Sequence, residues 1–310
     1  MKNQSELLLR GIDGANPLGF LAALGATITV NHFCPEVKIY WRQESNAWRP
    51  VLLGCGSDEG AFIHNLHKAL SSTSTAPFDI KKKMPFSADE FSEILKDTQS
   101  KVMLGDRRLA DFLVAYGSEV LPPRDRDNKE FQNTRFIMVR SGDSAGQGFP
   151  FYARKIRDAT EIKNLQDALF ETWEYRDDKF SLRWDPLEDQ RYALGWYDPS
   201  TKKDKYALKT MIGANSLALE ALVLFPTMPI YGSLATTGFF QDKKRVFFTW
   251  PIWNRPVTIE ILRSLVSLAE LQKDIPPRDI LASRGIVEIY RCERIITNKY
   301  YHNFTPAVPV

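Results

Sequence analysis

The sequence predicts an α+β protein, in which an irregular mixed sheet packs against helices and long charged loops connect the elements. Segments that alternate apolar and polar residues, as strands do, occur at 37–41 and 286–296. Apolar segments with helical character occur at 17–31, before the first of them, and at 214–225, between the two. With 310 residues and 44% hydrophobic content, the chain is long enough to bury a large core.

The opening stretch, residues 7–25, reads as a strand, a tight turn and the start of a helix. Asp13 and Gly14 are residues that favour turns. Asn16 is placed to cap the helix N-terminus, and Pro17 suits the first helical position because its missing N–H is not needed there. The helix that follows is apolar on most of its surface, which predicts that it is buried.

The rest of an N-terminal α/β region, 1–120, follows the same local rules. Segments 37–41 and 48–53 are separated by a polar connection and predict a hairpin. Ser57 or Asp58 is placed to cap the next helix, and Ser87 opens a capping box. The predicted helices of this region cover residues 59–71, 87–96 and 107–118.

Residues 121–310 are predicted as a C-terminal α+β region, unless the two regions form one interleaved domain. Gly213, Ala214 and Asn215 repeat the Gly-Ala-Asn pattern of the opening stretch. We interpret the two copies as similarly capped buried helices, with an internal duplication as the alternative. Segment 226–232 reads as irregular. The elements predicted in this region are strands at 134–140, 245–253 and 286–296 and helices at 158–173, 214–225 and 258–271.

Composition excludes several classes of protein. The three cysteines, Cys34, Cys55 and Cys292, are odd in number and widely spaced, which argues against a disulfide framework or a zinc knuckle. No apolar run approaches the roughly 20 residues that cross a bilayer, and the polar N-terminus does not predict a signal peptide. We therefore expect a cytoplasmic protein with no membrane partner. A formal charge of +3 does not by itself indicate a nucleic-acid partner.

One acidic cluster has two interpretations. Asp185, Glu188 and Asp189 are close in sequence, and clustered carboxylates can hold Mg²⁺ for phosphodiester chemistry. Alternatively, Asp185 caps a turn or helix opened by Pro186, with the other two carboxylates in its first turn. The second interpretation explains the same residues without a metal.

No other arrangement of residues predicts catalysis. The chain has no GxSxG nucleophile elbow. Cys55 lies between two glycines, which favours a turn residue over a nucleophile, and His64 and His67 lack a third zinc ligand at a familiar spacing. We therefore predict no catalytic residue, no metal site and no cofactor.

Basic groups in loops are the candidate nucleic-acid contacts, since binding to a phosphate backbone needs cations, with aromatic rings as optional stacking partners. One group follows the glycine-rich turn at 141–148, which lacks the spacing of a phosphate-binding loop. Another precedes Phe247 and Phe248. The predicted contact residues are Arg124, Arg126, Arg154, Lys155, Arg157, Lys243, Lys244 and Arg245.

Residues 9–25 resemble the opening of subunits associated with type I-G (formerly I-U) CRISPR–Cas systems. Those proteins begin with a strand, a polar turn and a Pro-Leu-x-x-[Phe/Tyr]-Leu-x-Ala-Leu-Gly helix, and here residues 17–25 are one residue shorter between the leucine and the aromatic residue. Segments 184–192, 213–217 and 248–253 are also similar to segments of that group. The resemblance supplies no catalytic residue.

The resemblance implies a non-catalytic component of an antiviral defence system, with other CRISPR effector subunits as partners and crRNA or target DNA as a ligand. We expect the basic loops to contact nucleic-acid backbone, effector subunits or both. Two alternatives stay open: a metal-dependent phosphodiesterase that uses the acidic cluster, and a purely structural protein-interaction module.

Overall fold

The structure is a computed structural model, and it describes residues 5–80, 87–120, 132–139, 148–178, 180–188, 209–230, 233–296 and 302–310. The helices in these ranges are α1 (Pro17–Val30), α2 (Glu59–Ser72), α3 (Ala76–Asp79), α4 (Ala88–Met103), α5 (Arg108–Tyr116), α6 (Phe149–Ala159), α7 (Ile162–Phe170), α8 (Ile212–Glu220), α9 (Ile259–Val266) and α10 (Arg278–Ser283). The strands are β1 (Glu6–Leu8), β2 (Lys38–Glu44), β3 (Ala47–Leu53), β4 (Gly117–Ser118), β5 (Gln132–Asn133), β6 (Thr227–Ile230), β7 (Ser233–Thr236), β8 (Phe239–Asp242), β9 (Arg245–Trp253), β10 (Ile286–Ile296), β11 (His302–Phe304) and β12 (Val308–Pro309).

The fold is α+β, as predicted, but its strands form separate antiparallel sheets packed against helices and not the mixed sheet that the sequence suggests. The largest sheet has the order β11-β10-β9-β8, and β12 also pairs with β10. A second sheet has the order β1-β3-β2. The short pairs β4–β5 and β6–β7 complete the sheets of the described ranges, and all of their strand pairs are antiparallel. Antiparallel neighbours need only short connections, which agrees with the hairpins β2–β3 and β8–β9.

Helices α1 and α8 form the centre of the core. Every residue of α8 is buried, and in α1 only Ile28 is partly exposed. Their backbones touch, because a Cβ added at Gly25 would lie 1.7 Å from the carbonyl oxygen of Leu217. A helix that is apolar on all sides needs such an enclosed position.

The opening stretch forms as predicted. The side chain of Asn16 accepts hydrogen bonds from the N–H groups of Leu18 (2.8 Å) and Gly19 (3.1 Å), and Pro17 is the first residue of α1. Two tryptophans of β9 connect the N-terminal part of the chain to the large sheet. Trp250 donates its indole N–H to the carbonyl of Gly14 at 2.8 Å, and Trp253 donates to the carbonyl of Ile39 at 2.9 Å.

The predicted regions 1–120 and 121–310 share one hydrophobic core. Helix α1 packs along α8, and β2 is bridged to the segment before α9 through Ile39 and Val257. Phe20 stacks on Trp250, with ring centroids 5.7 Å apart. Elements from both regions therefore interleave, and the predicted boundary at residue 120 does not divide the core.

Two predicted elements of the middle segment are wrong. Residues 134–140 were expected to form a strand, but the chain turns at Arg135 and Phe136. The Phe136 ring is inserted among aromatic side chains, 5.2 Å from Phe248, and its carbonyl accepts from Trp184. The helix expected at 158–173 is two helices, because Glu161 donates its N–H to the Asn164 side chain and starts α7 anew.

Two predictions around α8 also need correction. Asn215 does not cap this helix, which begins three residues earlier, at Ile212. Its buried amide instead accepts from the N–H of Leu182 and donates to the hydroxyl of Thr210, so it fixes the preceding segment. Residues 227–230, which were expected to be irregular, form strand β6. Within the described residues, no helix combines the length and the apolar character needed to cross a membrane.

Candidate functional site

Asp185 of the acidic cluster lies in the core and connects the start of α1 to the middle of the chain. Its Oδ2 accepts from Asn16 Nδ2 at 3.1 Å and from the Tyr175 hydroxyl at 2.9 Å, and its Oδ1 accepts from the N–H of Leu187 at 2.9 Å. The carboxyl is fully buried, and this burial raises its pKa. Asp185 therefore caps the short 3₁₀ turn Pro186–Glu188, as the interpretation without a metal predicts.

Glu188 is the second buried carboxyl of this cluster. It is hydrogen-bonded to the hydroxyls of Ser181 and Thr210, and Thr210 accepts in turn from Asn215 at 3.0 Å. Burial, with the nearby charge of Asp185, raises the pKa of Glu188 to about 8. At neutral pH this group is therefore largely protonated, with its own O–H donating one of these hydrogen bonds, and in this neutral state it can be buried without a cation.

The contacts of these two carboxyls do not favour a metal site. Both oxygens of each carboxyl are hydrogen-bonded to protein groups, so neither carboxyl has an oxygen without a partner in the core. Asp189 lies outside the described residues. Within the described ranges, no group of three or more His, Cys, Asp or Glu side chains is arranged to hold a metal ion. The phosphodiesterase hypothesis therefore gains no support from this geometry.

The thiol of Cys55 lacks the environment of a nucleophile. Its burial raises its pKa to about 11, with a smaller contribution from Cys34, so the thiol stays protonated at neutral pH. Gly54 and Gly56 on either side have positive φ values, of 87° and 88°. The positive φ values and the raised thiol pKa agree with the interpretation of Cys55 as a turn residue.

Arg157, predicted as a nucleic-acid contact, lies inside the protein. Its side chain is 4% exposed, and Nη1 donates to Glu220 at 2.6 Å. The other end of its guanidinium donates to the carbonyl of Leu70, and Arg108 also pairs with Glu220 at 2.6 Å. The guanidinium is therefore not accessible to a phosphate, and the prediction for this residue is wrong.

The neighbouring residues of α6 differ from one another. Arg154 is paired with two carboxylates, Asp79 at 2.6 Å and Asp158 at 2.8 Å. Lys155 is exposed, and its ammonium lies 5.8 Å from the ring centroid of Phe151. Of this basic group, only Lys155 presents a cation to solvent without a carboxylate partner among the described residues. Arg124 and Arg126 lie outside the described residues, so their predicted role stays a prediction.

The third basic group forms the tip of the β8–β9 hairpin. Lys243 and Lys244 are exposed, and Lys243 has a φ of 51°, as a tight hairpin turn requires. No ion pair joins either lysine to a carboxylate of the described chain, although exposed Asp242 precedes them. Arg245 is also exposed and pairs with Glu293 of β10 at 2.7 Å. The tip therefore presents a local excess of positive charge.

Two phenylalanine rings lie next to this tip on the same face of the sheet. Phe240 and Phe247 are opposite each other in the β8–β9 register, and their rings are 5.1 Å apart with an angle of 18° between their planes. We call them the ring pair. Both are partly exposed, whereas Phe248, which the sequence also suggested as a flanking ring, points into the core. The alternation of β9 separates these two adjacent phenylalanines.

A guanidinium lies over each member of the ring pair. Arg245 lies 4.7 Å from the ring centroid of Phe247, and Arg291 lies 4.3 Å from that of Phe240. Arg291 was not predicted as a site residue. The sequence does not indicate its position, because Arg291 comes to lie opposite Thr249 only when β10 and β9 pair in the sheet.

Backbone carbonyls, rather than a carboxylate, hold Arg291 in place. Its guanidinium donates to the carbonyls of Lys273 (2.6 Å) and Asp274 (2.7 Å), and its Nε donates to the hydroxyl of Thr249 (2.9 Å). Burial lowers its pKa, but an arginine stays charged at neutral pH. The positive charge of Arg291 over the Phe240 ring is therefore not cancelled by a paired carboxylate within the described structure.

Comparison with known proteins leaves the function to be argued from this geometry. No protein-family model matches the chain. No curated protein matches it either.

Proposed function

We propose that this chain is a non-catalytic binding protein that contacts the backbone of a nucleic acid through the tip of its β8–β9 hairpin. The observation that carries the proposal is the set of exposed cations Lys243, Lys244 and Arg245 beside the ring pair. Cations that can approach phosphates, next to aromatic rings, are the usual components of such a surface.

The charge at the tip supports a polyanionic ligand. Lys243 and Lys244 lie on a turn that projects beyond the last paired residues, Asp242 and Arg245. Their ammonium groups are therefore free to follow a phosphate chain with little steric restriction. Lys155 is a further exposed cation, on α6, and we include it as an outlying contact.

The resemblance of the opening stretch suggests the biological setting. We propose that the chain acts in an antiviral CRISPR system of the type I-G kind, as a subunit or an accessory protein. Its ligand would be crRNA or target DNA, and effector subunits would be its protein partners. The opening stretch itself is buried scaffold, so it suggests the group without forming the working surface.

A titration of the purified chain with labelled single- and double-stranded oligonucleotides tests the proposal. We expect binding at low salt that weakens steeply as salt is raised, because phosphate contacts release counterions. A lack of binding to every oligonucleotide at low salt would contradict the proposed function. Binding that does not depend on salt would contradict the phosphate contacts.

A second candidate function, docking to another protein, has a separate observation in its favour. Val114 on α5 and Met228 on β6 are 44% and 51% exposed, and the Thr227 hydroxyl donates to the Val114 carbonyl, which places the two elements side by side. Helices α4 and α5 also line a groove of about 750 Å³, whose apolar lining includes Leu95, Val102, Met103 and Ala110. Exposed apolar surfaces of this kind are typical of protein contacts.

Purification of the tagged chain from its source cells tests this second candidate. We expect a protein partner that remains bound after nuclease treatment and is lost in the variant Val114→Lys/Met228→Lys. Oligonucleotide binding should be unchanged in the same variant. Retention of the partner by the variant would exclude this surface as the contact.

A further inference from the structure

We propose that the ring pair is a stacking site for an unpaired nucleobase, so that the chain binds single-stranded nucleic acid in preference to duplex. This inference rests on the proposed function, because the hairpin tip supplies the phosphate contacts. It adds the chemical class of the ligand. Three features of the ring pair and its two arginines support it.

The first feature is the arrangement along the sheet. Arg245 precedes Phe247 by two residues, so it lies on the hairpin-tip side of the ring pair. Arg291 is paired with Thr249, two residues beyond Phe247 in the opposite direction. The ring pair therefore lies between two guanidinium groups, and the one nearer the tip is next to the exposed lysines.

The second feature is the unequal restraint of the two arginines. Arg291 is buried and held by several carbonyls. The side chain of Arg245 is 60% exposed, whereas its carboxylate partner, Glu293, is 23% exposed. Because the guanidinium itself is largely in solvent, the ion pair contributes modestly to stability, and Arg245 is much freer to move than Arg291. Its movement uncovers Phe247, or presents its own planar guanidinium for stacking.

The third feature is the match between this surface and an unpaired base. A base has a planar π-face that stacks on an aromatic ring or on an arginine, and its phosphate carries the charge that Lys243 and Lys244 attract. In a duplex, both faces of each base are covered by neighbouring bases. A duplex can therefore use the lysines but not the ring pair, whereas a single strand can use both.

An acidic peptide is the competing occupant of a cationic surface, but the ring pair favours the nucleic acid. The carboxylates of such a peptide would pair with the lysines, but they have no aromatic face that could stack on the two rings. The location of the rings on a sheet face, beside cations at one end, is the arrangement that lets a base and its own phosphate bind together.

The experiment measures the affinity of the full chain for three labelled probes of equal length at one fixed, low salt concentration. They are a single-stranded oligonucleotide, its duplex, and a strand in which abasic sites replace the bases. The abasic strand keeps the phosphates and loses the π-faces. We expect wild-type protein to bind the single strand at least about fivefold more tightly than the abasic strand, the effect of one weakly stacked base.

The variant Phe247→Leu removes the ring and keeps an apolar side chain. We expect it to lower single-strand affinity at least about fivefold, with abasic and duplex binding unchanged. Phe33→Leu, the same change at a partly exposed phenylalanine outside the hairpin, should alter none of the three affinities. Lys243→Gln should weaken binding of all three probes by similar factors.

The outcomes separate the inference from the proposed function. Equal wild-type affinity for the single strand and the abasic strand would overturn base stacking and leave the backbone contact standing. Failure of all three probes to bind at low salt would overturn the proposed function itself. Displacement of the single strand by polyglutamate at equal charge concentration would favour a protein ligand and overturn the inference. The wild-type comparison needs no variant, so it decides the question even if Phe247→Leu does not fold.

Discussion

Gly25 of α1 lies directly against the backbone of Leu217 in α8, so closely that an added Cβ would be 1.7 Å from the Leu217 carbonyl oxygen. Backbone atoms in the middle of two buried helices cannot move aside locally. The absence of a side chain at Gly25 therefore sets how closely the two central helices approach.

We expect Gly25→Ala to destabilise the protein by at least about 2 kcal/mol, because the extra methyl group forces α1 and α8 apart. The matched control is Gly60→Ala in α2, where the nearest atom to an added Cβ is the Asp58 side chain at 3.4 Å. Alanine is the better helix former, so this change should be neutral or stabilising by up to about 1 kcal/mol. Chemical denaturation measures both. Equal effects would contradict the close packing of the two helices.

Removal of the buried charge of Glu220 should lower the unfolding free energy substantially. Glu220→Gln leaves the buried Arg157 without its carboxylate, and we expect a loss of about 3 kcal/mol or more in unfolding free energy. Asp79→Asn makes the same chemical change at the exposed Arg154 pair, where about 1 kcal/mol or less is expected. Thermal or urea unfolding distinguishes the two. A small effect at Glu220 would mean that Arg157 is accessible to water after all.

The raised pKa of the Glu188 carboxyl predicts that the protein becomes less stable as pH rises. In the native state this carboxyl keeps its proton up to about pH 8, whereas an ordinary glutamate releases it near 4.5. Between these values the native state binds more protons than the unfolded state, so the unfolding free energy falls as pH rises. The stabilisation is complete below about pH 4.5 and is lost as pH passes about 8.

We expect Glu188→Gln to flatten this dependence in unfolding experiments from pH 5 to pH 8. The same change at an exposed residue, Glu93→Gln on α4, serves as the control. It should keep the wild-type slope of unfolding free energy against pH. An identical slope in wild type and Glu188→Gln would show that the carboxyl is already ionised in the native state.

The hairpin lysines should control the salt dependence of binding. Each lysine that neutralises a phosphate of a single strand contributes about 0.7 to the slope of log affinity against log salt. We expect Lys243→Gln/Lys244→Gln to reduce the slope by about 1.4 in an anisotropy salt series. Lys68→Gln, on α2, should leave it unchanged, because α2 packs on α1 and α7 rather than on the large sheet. A slope unaffected by the double variant would place the phosphates elsewhere.

Features that depend on a few neighbouring residues were predictable from the sequence. The cap by Asn16, the start of α1 at Pro17, the capping box at Ser87 and the strand 245–253 all agree with the structure. In each, the determining contacts are local: a side chain bonds to a backbone group within a few residues, or apolar and polar positions alternate. The α+β class followed from the order of such segments.

Features that depend on residues distant in the sequence were not predictable from the sequence. Arg154, Lys155 and Arg157 have similar side chains three residues apart or less, yet only the fold decides that the first is paired, the second is exposed and the third is buried. Asn215 repeats the pattern of Asn16 without its role, because the two helices begin at different points relative to the asparagine.

The sequence by itself determined where several helices and strands begin, which helices are buried and where basic residues cluster along the chain, since these follow from local hydrogen bonding, hydrophobic pattern and composition. Tertiary structure alone decided which charges face solvent and what surrounds them. Arg291 and Phe240 are about 50 residues apart in the chain and meet only because β9 lies between their strands. A side chain's accessibility and electrostatic environment are set by groups that pack on it from elsewhere in the chain, so only the folded arrangement produces the ring pair and its two arginines.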